Sequence, residues 1–364
     1  MKRKDFLKKG IVASVALATM GACNAKGESA NINTKKRIKW KMVTTWPPNF
    51  PVLGEGCQLF AEWVEDMSEG RLVIDVYGGG ELVPPLQIFE AVSSGACEIG
   101  HGCAYYWAGI QPAFQFFGGV PFGMDAPEYN AWMFEGGGLE LWTELYARYN
   151  IVPIPAGNTS AQMGGWFNKK IDTMADFKGL KMRMPSLGGK VLERVGGTAV
   201  LSPGSELYTN LERGVIDATE WIGPYHDYLM GFHQIAKYYY YPGWHEPGSL
   251  LENMINKRDW DNLAPDLQQI VKDASARLNK FIYTTFRAKN YEYLHKIKAE
   301  SDVEIISFSS EVLASLKGTF DEILTEEAAK NDLFNRVYTA YEAFRRDYVQ
   351  RDLPRDTLYF NRSI

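Results

Sequence analysis

Apolar and polar positions recur in two rhythms along this chain, and the rhythm changes at glycines and prolines. Residues 38–45 read as a strand, and 52–67 as an amphipathic helix with Leu59, Phe60, Trp63 and Val64 on one face. Ser68-Glu69-Gly70 ends that helix, residues 72–77 form the next strand, and Gly78-Gly79-Gly80 turns the chain. A helix over 85–94 and a strand over 97–102 follow. Strands alternating with helices in this order predict a parallel-type α/β sheet.

A weak internal repeat comes next. Phe89-Glu-Ala-Val92-x-x-Gly95-x-x-Glu98 matches Tyr208-Thr-Asn-Leu211-x-x-Gly214-x-x-Asp217 at a constant offset of 119 residues. In each copy a helix ends at glycine, as left-handed caps do, and a short strand with an acidic start begins. Any helix-to-strand junction has this look; the alternative is a pair of similar α/β lobes around a shared cleft. Open α/β sheets bind ligands at the carboxyl ends of their strands. On that basis Tyr105, Tyr106 and Trp107 of the first lobe face Glu220 and Trp221 of the second.

Residues 126–149 are helical, broken by Gly136-Gly137-Gly138, and an apolar run at 151–155 leads into a polar crossing over 156–167. The alternating run 179–185 is a strand that stops at Pro185 and carries Arg183 near its end. A helix at 187–195, a strand at 198–202 and an aromatic strand at 238–241 follow, and the rest is mostly helix (263–300, 310–329, 332–350). Phe334, Val337, Tyr338, Tyr341, Phe344 and Tyr348 form an apolar stripe on the last helix that something must cover. Packing on the chain's own lobes is the default, and exchange with a second subunit the alternative. The expected organisation is a signal peptide over 1–22, a tether over 23–37, lobe one over 38–157, and a lobe-two core with crossover strands over 158–250. A helical region over 251–364 packs across both lobes and offers a dimerisation helix.

Composition narrows the function. At 364 residues and 46% hydrophobic, the chain can fill two cores. The net charge is -5, and removing the +4 of residues 1–22 leaves -9. Beyond the N-terminus the one Lys/Arg run of three is Lys35-Lys36-Arg37, which argues against nucleic acid. An anionic ligand therefore needs a local positive group. Basic residues 2–9, an apolar core over 11–20 and Gly21-Ala22 before Cys23 have the order of an export signal. Cys23 resembles the lipid-modified cysteine of bacterial lipoproteins. Arg3-Lys4-Asp5-Phe6-Leu7-Lys8 resembles a twin-arginine motif with Lys for one Arg, so the export route stays open. Cys57, Cys97 and Cys103 lack Cys-x-x-Cys spacing and read as small buried hydrophobes rather than a disulfide framework or zinc site.

The five histidines have no paired metal spacing, and there is no nucleophile elbow, phosphate loop or dinucleotide fingerprint. What remains is a binding set: the amides of Asn158 and Gln162, the carboxylates of Glu220 and Glu246, and the Arg183 guanidinium. A guanidinium fork fits a carboxylate, and hard cations such as Na⁺ or Ca²⁺ take carboxylate, amide and carbonyl oxygens. Together they could hold a cation that bridges to a small organic acid. Singly, each Glu is more often a salt-bridge partner. An exported hydrolase or lyase using Glu220 and Glu246 as an acid/base pair is the rival reading.

Five runs carry a family resemblance: Gly157-Asn158-Thr159, Gln162-Met-Gly-Gly-Trp166-Phe167, Gly179-Leu-Lys-Met-Arg183-Met-Pro, Asp217-Ala-Thr-Glu220-Trp221-Ile-Gly-Pro224-Tyr225, and Tyr238-Tyr-Tyr-Tyr-Pro-Gly-Trp244-His-Glu246-Pro-Gly. They resemble the substrate-binding subunits of tripartite ATP-independent periplasmic (TRAP) transporters, DctP family, in particular those for pyruvate and related 2-oxo monocarboxylates. The resemblance implies a two-lobed α/β periplasmic binding protein, not an enzyme, that closes on its ligand and serves membrane permease subunits. By residue-for-residue carry-over, Arg183 takes the substrate carboxylate; Asn158, Gln162, Tyr106 and Trp221 are the other expected substrate contacts. Gln162, Glu220, the Trp221 carbonyl and Glu246 hold Na⁺ or Ca²⁺. Ser160-Ala161 and the region beyond Glu300 depart from the family pattern and leave dimerisation open. Lactate, a dicarboxylate or a sugar acid remain alternative ligands.

Overall fold

The computed structural model describes residues 37–360, with side chains as far as Tyr348. The expected signal peptide, Cys23 and the tether up to residue 36 lie outside the described residues.

Two mixed sheets form the frame. The chain runs through β1 (Ile38–Thr44), β2 (Leu72–Tyr77), β3 (Ile99–Gly102) and β4 (Ile151–Asn158), then crosses to β5 (Gly165–Phe167), β6 (Lys181–Arg183), β7 (Thr198–Val200), β8 (Ala218–Thr219) and β9 (Tyr238–Tyr241). It returns as β10 (Leu250–Asn256) and ends its strands with β11 (Glu304–Ser307). The first sheet has the order β2-β1-β3-β10-β4 and the second β11-β9-β5-β8-β6-β7. β1, β2 and β3 are parallel, as are β6, β7 and β8, whereas β10 and β5 run antiparallel to their neighbours. The parallel-type sheet expected from the pattern is thus corrected to two mixed sheets, because each lobe borrows a strand from a chain segment that crosses between them.

The amphipathic pattern does set the helices. Helix Leu53–Met67 buries Leu53, Cys57, Phe60, Ala61 and Val64 at three- and four-residue spacing. Where a helical region is expected from 251, Leu250–Asn256 is strand β10, buried at all seven positions, so no inside–outside alternation marks it. The following helix, Pro265–Glu300, has 36 residues, about 54 Å of rod. It packs on β4 and helix Leu53–Met67 of the first lobe and on helix Pro224–Leu229 of the second. The final stripe is covered by the chain itself. Phe334 and Tyr341 lie 5.0 and 5.3 Å from Phe116, ring to ring, and Tyr341 is edge-on to Trp132 at 5.1 Å. Its hydroxyl accepts from the Met124 N–H at 2.6 Å. That helix continues to Phe360, beyond the expected 350.

The internal repeat is a structural one. Helices Ile88–Ser94 and Leu207–Glu212 lead through Gly95 and Gly214, at φ 79° and 69°, into the parallel strands β3 and β8. Only glycine takes that left-handed turn without strain. The acid before each strand then accepts a backbone N–H from the neighbouring parallel strand. Glu98 accepts from Lys41 at 2.7 Å and Asp217 from Lys181 at 2.9 Å. Each copy thereby delivers a strand end to the same side of its sheet.

Candidate functional site

The carboxyl ends of β3, β4, β6 and β8 and the turn after β9 converge on one buried cluster. Arg183, the last residue of β6, is 1% exposed. Its Nη1 donates to Glu220, just beyond β8, and its Nε to the Ser202 carbonyl at 3.3 Å. Nη2 reaches the Tyr106 hydroxyl, across from the first lobe, at 3.4 Å. The guanidinium carbon lies 5.4 Å from the Trp221 ring centroid. Trp221 in turn meets Trp46 and Phe50 of the first lobe edge-on, at 6.5 and 6.2 Å.

On the other side of Glu220, His245 Nε2 is 3.3 Å from Glu220 Oε2 and 3.6 Å from Glu246 Oε1. Burial depresses the His245 pKa to about 4, so the ring is neutral and these approaches are not ion pairs. Glu246 Oε2 accepts from the Ser249 hydroxyl, whose oxygen accepts from Gln162 Nε2 at 2.7 Å. Gln162 Nε2 also donates to Thr159 Oγ1 at 2.9 Å. Asn158, at the end of β4, accepts from the Ser160 N–H at 2.8 Å.

Several buried atoms in this cluster have no hydrogen-bond partner: Gln162 Oε1, Glu220 Oε2, Glu246 Oε1, Asn158 Nδ2 and both His245 nitrogens. Burial of a polar atom without a partner costs about 1–3 kcal/mol, and more for a charge. Three such oxygens beside a single guanidinium are the donor set of a hard cation. Glu220, His245 and Glu246 each offer a ligand atom within 4.8 Å of the others. Burial also raises the Glu246 pKa, and a nearby cation would reverse that. The residues present therefore fit a bound cation.

The residues expected from the sequence, Arg183, Asn158, Gln162, Tyr106, Trp221, Glu220 and Glu246, all lie in or against this cluster. Trp107 does not. Its Nε1 donates to Glu252 at 2.8 Å, in the first lobe's core, because it sits on the opposite face of the short turn that presents Tyr106. Sequence reasoning passed over His245, Ser249 and Thr159. For His245 the available signal was its place beside Glu246 in a turn bounded by Gly243 and Pro247.

Two α/β lobes enclosing polar groups at their strand ends define a two-lobed periplasmic binding protein. Residues 42–331 match the model for bacterial extracellular solute-binding protein family 7, DctP, and the chain belongs to that family. A monocarboxylate 2-oxoacid-binding periplasmic protein of Nostoc is 38% identical over 346 residues, 95% of this chain and 94% of that one. A TRAP periplasmic solute-binding protein of Pseudoalteromonas atlantica, with bound sodium and pyruvate, matches with a TM-score of 0.87 at 40% identity. That match covers 90% of this chain and 100% of the other. A TRAP solute-binding protein of Bordetella bronchiseptica matches with a TM-score of 0.88 at 34% identity, covering 90% of this chain and 98% of the other. It is a mixed-occupancy dimer, one active site holding copurified calcium and picolinate and the other apo. This chain is accordingly a periplasmic solute receptor of the TRAP type, not an enzyme, and such receptors bind small ligands and work with membrane permease subunits.

Proposed function

We propose that this receptor captures small 2-oxo monocarboxylates of the pyruvate type between a cation and Arg183 as its lobes close. The observation that carries the proposal is a charge imbalance. Two buried carboxylates, Glu220 and Glu246, stand against one guanidinium and a neutral histidine, so an incoming anion would find a net negative site. A sodium or calcium ion held by Gln162, Glu220, the Trp221 carbonyl and Glu246 would supply the missing positive charge. Arg183 would take the ligand carboxylate from the second lobe while Tyr106 and Asn158 approach it from the first. The sodium–pyruvate and calcium–picolinate relatives, and the 2-oxoacid-binding Nostoc protein, support both the ligand class and the cation. Homodimerisation rests on the Bordetella dimer, and anchoring through Cys23 on the sequence alone.

The size of the ligand agrees with this arrangement. Six heavy atoms at a ceiling of ~1.5 kcal/mol each give roughly 9 kcal/mol, or sub-micromolar binding at best. Only charged contacts approach that ceiling for so small a solute. Titration calorimetry with pyruvate, lactate and 2-oxobutyrate, in cation-stripped buffer and then with NaCl or CaCl₂, tests the proposal. Binding is expected with the cation, lost in Arg183→Ala, and strongest for 2-oxo acids. Cation-independent binding, or none by any acid, overturns it.

A further inference from the structure

The turn Glu220–Gly223 joins β8 to helix Pro224–Leu229 and carries two of the cation ligands proposed above, the Glu220 carboxylate and the Trp221 carbonyl. Its rigidity comes from behind. Asp227, one turn into that helix and 1% exposed, folds its carboxylate back onto the turn. Oδ1 accepts from the Ile222 N–H at 3.3 Å and the Gly223 N–H at 3.2 Å. Oδ2 accepts from Trp166 Nε1 at 2.9 Å and the Tyr239 hydroxyl at 2.7 Å. Trp166 and Tyr239 are cross-strand partners on β5 and β9, with rings stacked 3.9 Å apart. The carboxylate is thus pinned to the sheet on one side and holds the turn on the other.

The Ile222 N–H belongs to the same peptide unit as the Trp221 carbonyl. That bond is trans, since the one cis bond among the described residues is Tyr241–Pro242. In a trans peptide the N–H and C=O point in opposite directions. Drawing the N–H toward Asp227 therefore aims the carbonyl away from it, and a negative acceptor on the N–H side polarises the amide and enriches its oxygen. We infer that Asp227 is the positioning residue of the cation site, orienting and polarising the Trp221 carbonyl through the Ile222 amide. The inference rests on the proposed cation reading, and it extends that site to a residue that touches neither cation nor ligand.

The experiment titrates CaCl₂ into calcium-stripped full chain at fixed pyruvate, following tryptophan fluorescence and pyruvate calorimetry, with thermal melts alongside. Asp227→Asn keeps the size but has one acceptor oxygen for four donors. Outer-shell partners of metal ligands typically carry 10–100-fold in affinity, so the calcium midpoint should rise by about that factor. Pyruvate affinity at saturating calcium should stay within about 3-fold of wild type. Tyr239→Phe removes one of the two donors that pin the far oxygen of the same carboxylate while leaving both turn N–H bonds, so its calcium midpoint should rise by clearly less than that of Asp227→Asn, whatever its melting temperature. Asp227→Glu keeps the charge but moves it by one methylene; it should shift the midpoint at least about 3-fold and serves if the Asn variant does not fold. An unchanged midpoint in the folded Asp227 variant overturns the inference. So does a shift matched by Tyr239→Phe, or weak pyruvate binding that saturating calcium does not restore. A wild-type protein indifferent to calcium and sodium overturns the cation reading itself, and that outcome is visible before any variant is made.

Discussion

Arg183→Ala separates this arginine's observed pairing with Glu220 from the ligand-binding role proposed for it. The substitution deletes the guanidinium that donates to Glu220, the Ser202 carbonyl and Tyr106. Glu220, 0% exposed, is left without a positive partner. Removing one member of a buried ion pair costs roughly 3–5 kcal/mol, because the other charge stays desolvated. At ~2.1 cal/mol/K of unfolding entropy per residue over roughly 300 residues, that is a fall in melting temperature of about 5–8 °C. Calcium should reverse much of this loss, since a site freed of its neighbouring positive charge binds a cation more tightly. A ligand at 100 times its Kd stabilises by about 2.7 kcal/mol. The signature is therefore asymmetric: calcium raises the variant's melting temperature by more than it raises the wild type's, while pyruvate binding stays lost. Scanning calorimetry with and without CaCl₂, plus pyruvate titration, reads both halves. A calcium gain equal to or smaller than the wild type's, or pyruvate affinity within a few-fold of normal, would refute the reasoning.

Two further outcomes follow. A Cβ at Gly119 would lie 2.9 Å from Glu246 Oε2 and 3.0 Å from its Cβ. Gly119→Ala should therefore displace that carboxylate and raise the calcium midpoint about 10-fold, for a stability loss of about 1–3 kcal/mol; an unchanged midpoint counts against Glu246 as a ligand. Burial lifts the Glu252 pKa from 4.5 to about 8, against the hydrogen bonds it accepts from Trp107 and Tyr146. The native state thus holds a proton that the unfolded chain releases, and stability falls as pH rises from about 4.5 to 8, by roughly 5 kcal/mol at 1.36 kcal/mol per unit. In Glu252→Gln that part of the decline should vanish, as urea midpoints at pH 5, 6.5 and 8 will show.

Most of the longer helices were legible in the sequence through their apolar faces, and Gly95 and Gly214 marked where two short ones end, but the short helix Pro224–Leu229 was not. Strand β10 was not. Its Glu252, Asn253 and Asn256 look like loop residues, but all three are buried. Asn253 donates to Ser275 at 3.0 Å, and Asn256 to the Val92 carbonyl at 2.7 Å. Polar residues buried inside a core, here only partly hydrogen-bonded since Glu252 Oε2 and Asn253 Oδ1 have no partner, erase the hydrophobic signal that a central strand ordinarily gives. The site divides in the same way. Charged residues in an aromatic, glycine-rich neighbourhood flagged Arg183, Glu220 and Glu246, whereas His245 and Asp227 act through geometry that spacing does not encode. The two copies of the repeat use their strand ends differently. At the 119-residue offset, Glu220 corresponds to His101. That ring is held neutral, its pKa pushed down to about 4 by burial, and is bonded to Trp46 at 2.7 Å. Lobe one spends the equivalent strand end on packing.

That asymmetry gives closure a physical basis. A ligand shifts an open–closed equilibrium only by binding the two states differently. Glu220 follows β8 of the second lobe, whereas Glu246 packs against Gly119 of the first lobe and accepts from Ser249 just before β10. A cation held as proposed would therefore itself favour the closed state. In the proposed arrangement the ligand anion adds to this, because Tyr106 and Asn158 would reach it from the first lobe. The turn that carries Glu220 is also the seam between lobes. Trp221 is covered by Trp46 and Phe50, and His226, on the helix that holds Asp227, donates from Nε2 to the Pro51 carbonyl at 2.7 Å. Burial drives the His226 pKa down to about 3, so this latch is a neutral hydrogen bond that does not weaken across the periplasmic pH range. Opening must expose Trp221 and break the latch together. The turn is gripped from behind by Asp227 and capped from the front by lobe one, so the turn bearing two of the proposed cation ligands and the Trp221 contacts that closure would bury belong to one unit.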